Sequence, residues 1–205
     1  MKCDPVCTKD GHLVLFHDPD LLRLANDPRA VRDLTLAKMR ASLAAAGKAL
    51  TTQEELERAY AYPVPVLFDL SFSPSDDAFF RHLDTLPFPV IAGIHSPEEA
   101  RLAVGALGGD RVLAFMQRPE DFPLYGDAGC GILRLWEDWL DEYTPSVLKE
   151  RYPDAKVWIM AHDPSNPHPL FSMNGSKSSI DRAAALGADG MLLNDIRRAA
   201  AYRPR

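Results

Sequence analysis

Short, almost uninterrupted apolar runs punctuate this chain, each followed by a stretch rich in Ala, Leu and Glu. The runs are VPVLFDL (64–70), PVIAGI (89–94), RVLAFM (111–116), CGILRL (130–135), KVWIM (156–160) and DGMLL (189–193). Residues that are apolar consecutively, not alternately, suit strands covered on both faces. Helix starts fall between them. Thr52-Gln53-Glu54-Glu55 has the T-x-x-E form of a capping box. Ser96-Pro97-Glu98-Glu99 offers a cap, an N1 proline and two acids where the helix dipole favours them. A further helix is expected over 175–186, with Gly187 as its stop.

Strand and helix in alternation predict a parallel α/β fold. Residues 2–6 read as one more strand and 12–16 as a hairpin arm, which leaves seven crossover strands. A (β/α)8 TIM-type barrel needs eight. The expectation is such a barrel lacking its first strand and helix, or an open doubly wound sheet; periodicity alone does not choose. A length of 205 residues, 46% hydrophobic, fits a single domain over 1–205.

Charge and cysteine content exclude some functions. The net charge is -6 and no Lys/Arg run appears, so no nucleic-acid groove is expected. Three cysteines, Cys3, Cys7 and Cys130, without a CxxC, give neither a disulfide framework nor a zinc site. A reduced, cytoplasmic setting follows as the default. No stretch is long and apolar enough for a membrane span, and no apolar signal region opens the chain. Cys3 and Cys7 read as small packing residues.

The ionisable residues cluster early. After the turn Thr8-Lys9-Asp10-Gly11 an apolar arm runs straight into His17-Asp18-Pro19. In isolation His-Asp-Pro reads as a loop cap, with Asp18 accepting from backbone N–H groups. The order of the surrounding residues changes that reading. Asp4, Thr8 to Gly11, the apolar arm, His17-Asp18-Pro19, Leu21 to Arg23, and Asp33-Leu34-Thr35-Leu36 together resemble the glycerophosphodiester phosphodiesterase family. The tail LGADGMLLNDI (186–196) and Trp158 fit the same family.

That resemblance implies a (β/α)8 barrel that cleaves glycerophosphodiesters to an alcohol and glycerol 3-phosphate, typically with Mg²⁺ or Ca²⁺. It places His17 as the catalytic acid and Asp4 and Asp69 as metal ligands. Lys2 stands where the family has a metal-binding Glu, and Ser71 where it often has a lysine. The family's first strand, with a His-Arg pair, would lie upstream of Met1. Three explanations stand for that gap: a native start further upstream, a second copy of the chain covering it as a homo-oligomer, or a decayed family member.

The chemistry agrees in part. Phosphodiester cleavage needs positive charge on the non-bridging oxygens, an in-line nucleophile and a proton for the leaving oxygen. Histidine suits proton delivery, and Asp4 and Asp69 are hard ligands suited to Mg²⁺ or Ca²⁺. Strand alternation puts Lys2 and Asp4 on one face. An ammonium there would compete with a metal ion and pair with both acids itself, so the divalent cation is expected only if Lys2 does not displace it. Lys2 and Trp158 are the candidate substrate-binding residues. His95 and His162 follow strand ends and reach the expected barrel mouth; His12, His82 and His168 read as surface. The two functional readings are a small-molecule phosphodiester hydrolase and an inactive relative that binds a phosphate ligand or serves as structure.

Overall fold

The computed structural model describes residues 1–61, 64–140, 142–160 and 177–193, with side chains of the last segment described from 180 onward. They group into two compact units: Met1–Ile94 with Gly105–Leu107, and His95–Val104 with Gly108–Arg205.

In the first unit Lys2–Cys3 (β1) and Pro5–Cys7 (β2) flank Asp4, where a single strand was expected. Pro5 has no N–H to carry a ladder forward, so the chain changes partners there. β2 pairs antiparallel with Leu13–Leu15 (β3) across the Thr8–Gly11 turn. Gly11 has φ +83°, the left-handed conformation that glycine adopts without strain. Asp20–Leu21 (β4) and Asp27–Ala30 (β5) form a hairpin around Leu22–Ala25 (α1). Leu36–Ala45 (α2) follows, capped by Thr35 Oγ1. Thr51–Thr52 (β6) pairs antiparallel with β3 and leads into Gln53–Ala59 (α3) through the expected capping box. Val66–Asp69 (β7), Asp77–Asp84 (α4) and Val90–Ile94 (β8) complete the unit. β1, β7 and β8 are parallel, with β7 in the middle and all its residues buried.

The Thr8–Gly11 turn is locked from both sides. Thr8 Oγ1 donates to Asp10 Oδ1 at 2.8 Å, and Asp10 Oδ1 accepts from the Leu36 N–H at 2.9 Å. One carboxylate therefore fixes the turn to the start of α2. Beneath it Val6, Val14, Phe16, Leu21, Val31, Leu34, Met39 and Leu43 form a buried cluster. Completely burying such side chains contributes roughly 1.5–3 kcal/mol each before entropy is charged.

The second unit contains Pro97–Leu107 (α5, whose last turn groups with the first unit), Val112–Ala114 (β9), Phe122–Gly126 (α6), Ile132–Trp136 (β10), Pro145–Arg151 (α7), Lys156–Met160 (β11), Lys177–Ala185 (α8) and Gly190–Leu192 (β12). β9 to β12 are parallel and follow in chain order. α5 opens with the capping box of Ser96 and Glu99. Gly187, φ +83°, ends the turn after α8. The strand-helix alternation read from the sequence is present in both units.

Candidate active site

Parallel pairing of β1 with β7 sets Lys2 opposite Leu67 and Cys3 opposite Phe68. Continued by one residue, that register brings Asp4 level with Asp69. The Lys2 ammonium sits between the two acids, 2.6 Å from Asp4 Oδ1 and 3.0 Å from Asp69 Oδ2. Asp69 is buried at 9% exposure, and its other oxygen accepts from the Ser71 hydroxyl at 2.7 Å. Burial works against the Lys2 charge. The hydrogen bond to Asp4 and the charge of Asp69 outweigh it and hold the ammonium above the ordinary lysine range.

His17 leaves the end of the β3 arm. The Phe16 N–H just before it donates to the Asp4 carbonyl at 2.8 Å, which stitches the arm to the segment between β1 and β2. The His17 side chain is 70% exposed, and its Nδ1 lies 2.8 Å from Asp18 Oδ1. The other oxygen of Asp18 accepts from Arg23 Nε at 2.7 Å. Asp18 thus takes side-chain donors, not the backbone N–H groups of a simple loop cap. The Arg23 guanidinium, against the opposing effect of burial and with help from His17, holds the Asp18 carboxyl below the usual range. An ionised carboxylate only accepts, so the proton sits on Nδ1 and Nε2 is left to face a ligand.

A cavity of ≈ 400 Å³ lies in the same unit, lined by Val6, Pro19, Ala30, Arg32, Phe72 and Ser73. Two of its walls come from the loops just after His17-Asp18 and Asp69. Ser73 donates to the Pro5 carbonyl and ties the second loop to β2. Arg32 makes no hydrogen bond or ion pair among the described residues. Sequence reading passed over Arg32, since an exposed arginine carries no signal until the cavity around it is known.

The three side chains at the end of β1 do not fit a divalent ion as they stand. Among the described residues no group of three or more His, Cys, Asp and Glu is placed to hold a metal. The approach between Asp4 and Asp69 is taken by an ammonium. A doubly charged ion about 4 Å from it would meet a repulsion of about 8 kcal/mol at an effective dielectric of about 20.

The remaining candidates lie in the second unit or outside the described residues. Trp158, in β11, is half-buried and paired in register with Arg134 and Gly190. A methyl on Gly190 would come within 3.0 Å of its indole, so the ring lies against that glycine. The His95 ring stacks on Phe115, with centroids 5.0 Å apart. The sequence reading missed Arg134, 2% exposed inside an apolar strand. Its guanidinium lies 4.5 Å from the Trp136 ring centre and 5.3 Å from that of Phe115, and it donates to the Met116 carbonyl. Its signal was one charge in the run ILRLW. His12 and His82 are exposed, as expected. His162, His168 and residues 194–196 of the tail motif lie outside the described residues. Cys3, Cys7 and Cys130 are free thiols, and burial pushes Cys130 up to about 12.

Residues 2–84 match the model of the glycerophosphoryl diester phosphodiesterase family. That span holds Lys2, Asp4, His17 and Asp69. No curated protein matches the chain. Among solved structures, a glycerophosphoryl diester phosphodiesterase from Parabacteroides distasonis is similar over 99% of this chain and 76% of its own, with 20% identity and a TM-score of 0.68. A glycerophosphodiester phosphodiesterase from Thermotoga maritima is similar over 98% of this chain and 84% of its own, with 14% identity and a TM-score of 0.71. A phosphodiesterase from Oleispira antarctica, in complex with the product sn-glycerol-3-phosphate, aligns over 98% and 83% with 12% identity and a TM-score of 0.69. The resemblance read from the sequence therefore holds. The fold is that of a TIM-type barrel, partly complete, and the doubly wound alternative falls away.

Proposed function

We propose that this chain is a glycerophosphodiester phosphodiesterase-like hydrolase, releasing an alcohol and glycerol 3-phosphate. The observation that carries the reading is the His17-Asp18-Arg23 chain, anchored beside Asp4 through the Phe16 N–H. In this reading His17 acts as the imidazolium, its Nδ1–H held by Asp18, and gives the Nε2 proton to the leaving alcohol oxygen while water adds to phosphorus, loses its own proton to solvent, and the P–O bond to that alcohol breaks. Lys2 supplies positive charge to the phosphoryl oxygens. The cavity at Phe72 and Arg32 takes one arm of the diester; Trp158, in the second unit, is kept as a separate candidate substrate-binding residue on the strength of the family resemblance. The divalent cation typical of the family is not given a step here, because the Lys2 ammonium takes the place between Asp4 and Asp69.

The test is hydrolysis of glycerophosphocholine and a bis-aryl phosphate, with Mg²⁺, with Ca²⁺ and with EDTA, beside His17→Ala. A general acid contributes about 10²–10⁴ in rate, so the variant should lose that much. Turnover unchanged in the variant sinks the assignment.

The second reading is a relative that binds a phosphate ligand without cleaving it. The observation in its favour is the pair of short contacts that Lys2 makes with both acids. Thermal stabilisation by glycerol 3-phosphate with no turnover under any condition would favour it. The hydrolase reading treats 1–205 as one domain and keeps a reducing, cytoplasmic setting as part of the proposal. No described helix is long and apolar enough to cross a membrane. Among the described residues β1 is an edge strand, and a second copy of the chain covering it is part of the proposal; concentration-dependent sedimentation would reveal it.

A further inference from the structure

We propose that the Lys2 ammonium is the resident cation of this site: it occupies the place between Asp4 and Asp69, excludes a divalent ion, and meets a bound phosphate oxygen with its remaining N–H. The inference deepens the hydrolase reading and rests on it for the identity of the ligand. Three features carry it. An ammonium has three donors. Two are directed at Asp4 Oδ1 at 2.6 Å and Asp69 Oδ2 at 3.0 Å, and among the described residues Lys2 has no further partner. Its side chain is 29% exposed, so the third donor is reachable from solvent.

The surroundings keep the ammonium in place. The Ser71 hydroxyl donates to Oδ1 of Asp69, while Lys2 meets Oδ2. The backbone of Lys2 is held in the β1–β7 ladder, and Leu67 N–H donates to the Met1 carbonyl at 2.8 Å. A short strand pinned on that side gives a long, flexible side chain a fixed root. The result is a single positive charge, positioned without the ordered water shell that Mg²⁺ keeps. Phosphate binding at such a centre is insensitive to chelators and falls with ionic strength.

The experiment is calorimetric titration of the whole chain with Mg²⁺ and Ca²⁺, and separately with glycerol 3-phosphate in EDTA or in millimolar Mg²⁺. The same titrations are run on Lys2→Glu and Lys2→Met. The wild-type chain should bind neither cation below millimolar concentration. Its affinity for glycerol 3-phosphate should agree within twofold in the two buffers and fall at least tenfold in Lys2→Met. Lys2→Glu should gain cation binding. Cation binding by the wild-type chain that is lost in Asp69→Asn would overturn the inference, even if the Lys2 variants fail to fold. So would loss of glycerol 3-phosphate binding in EDTA. No glycerol 3-phosphate binding in any buffer would instead sink the phosphate half and the hydrolase reading with it, while the cation titrations would still decide what Lys2 excludes.

Discussion

The Phe16 N–H donates to the Asp4 carbonyl at 2.8 Å, and this one bond ties the arm that delivers His17 to the segment that carries Asp4. The side chains themselves are oriented separately, Asp4 by Lys2 and His17 by Asp18. Position and orientation therefore have different causes and can be disturbed independently.

Asp18→Asn should lower kcat by about tenfold or more, because an amide can no longer hold His17 Nδ1 and Arg23 as a charged acceptor. The change is nearly isosteric and near the surface, so Tm should move little. Thermal melts alongside steady-state kinetics check this; equal losses in both would mean that Asp18 is structural.

Lys2→Met should destabilise the chain by about 1–2 kcal/mol, less than the ~3–5 of a fully buried pair, since Lys2 is 29% exposed. The loss comes from leaving Asp4 and Asp69 with no cation between them. Asp69→Asn added to Lys2→Met should recover part of it. Urea titration of the single and double variants measures the difference, and strict additivity would argue against the shared ammonium.

Two glycines should respond oppositely to alanine. A methyl on Gly131 would lie 2.6 Å from the Gly109 carbonyl oxygen and 2.8 Å from its carbon, a backbone that cannot yield cheaply. Gly131→Ala should cost more than about 3 kcal/mol. Gly105, in α5, meets nothing within 4 Å, and Gly105→Ala should stabilise by about 0.5–1 kcal/mol through helix propensity. Denaturant midpoints of the two variants decide.

Acid should loosen the strand start at Asp189. Burial acts to raise its carboxyl, but the Lys149 ammonium at 2.7 Å and the Val157 N–H at 2.7 Å prevail and hold it below the ordinary range. A folded-state value below the unfolded one, about 3.9, stabilises the fold above that pH. The contribution is lost as pH falls through the folded value. Asp189→Asn should therefore lower Tm at pH 7 and converge with the wild type in acid; a constant gap from pH 7 to pH 2 would exclude the linkage.

Much of the local structure was legible. The capping boxes at Thr52 and Ser96, the Gly11 turn and the Gly187 stop depend on residues within one or two turns of each other, and all are present. The expected 2–6 strand was the instructive miss. Apolar pattern suggested continuity, whereas Pro5 and the competing Phe16 N–H divide it at Asp4.

By itself the sequence determined the alternation of strand and helix and the conformation of these short turns, because those rest on backbone propensity and nearby hydrogen bonds. It also placed His17 at the end of an arm. Only the tertiary structure decided that one ammonium would face both Asp4 and Asp69, since that depends on the register between segments more than sixty residues apart in the chain. It likewise decided that Arg134 would be buried among aromatic rings. Charge type is written in the sequence, but the partner of a charge is set by which strands lie side by side.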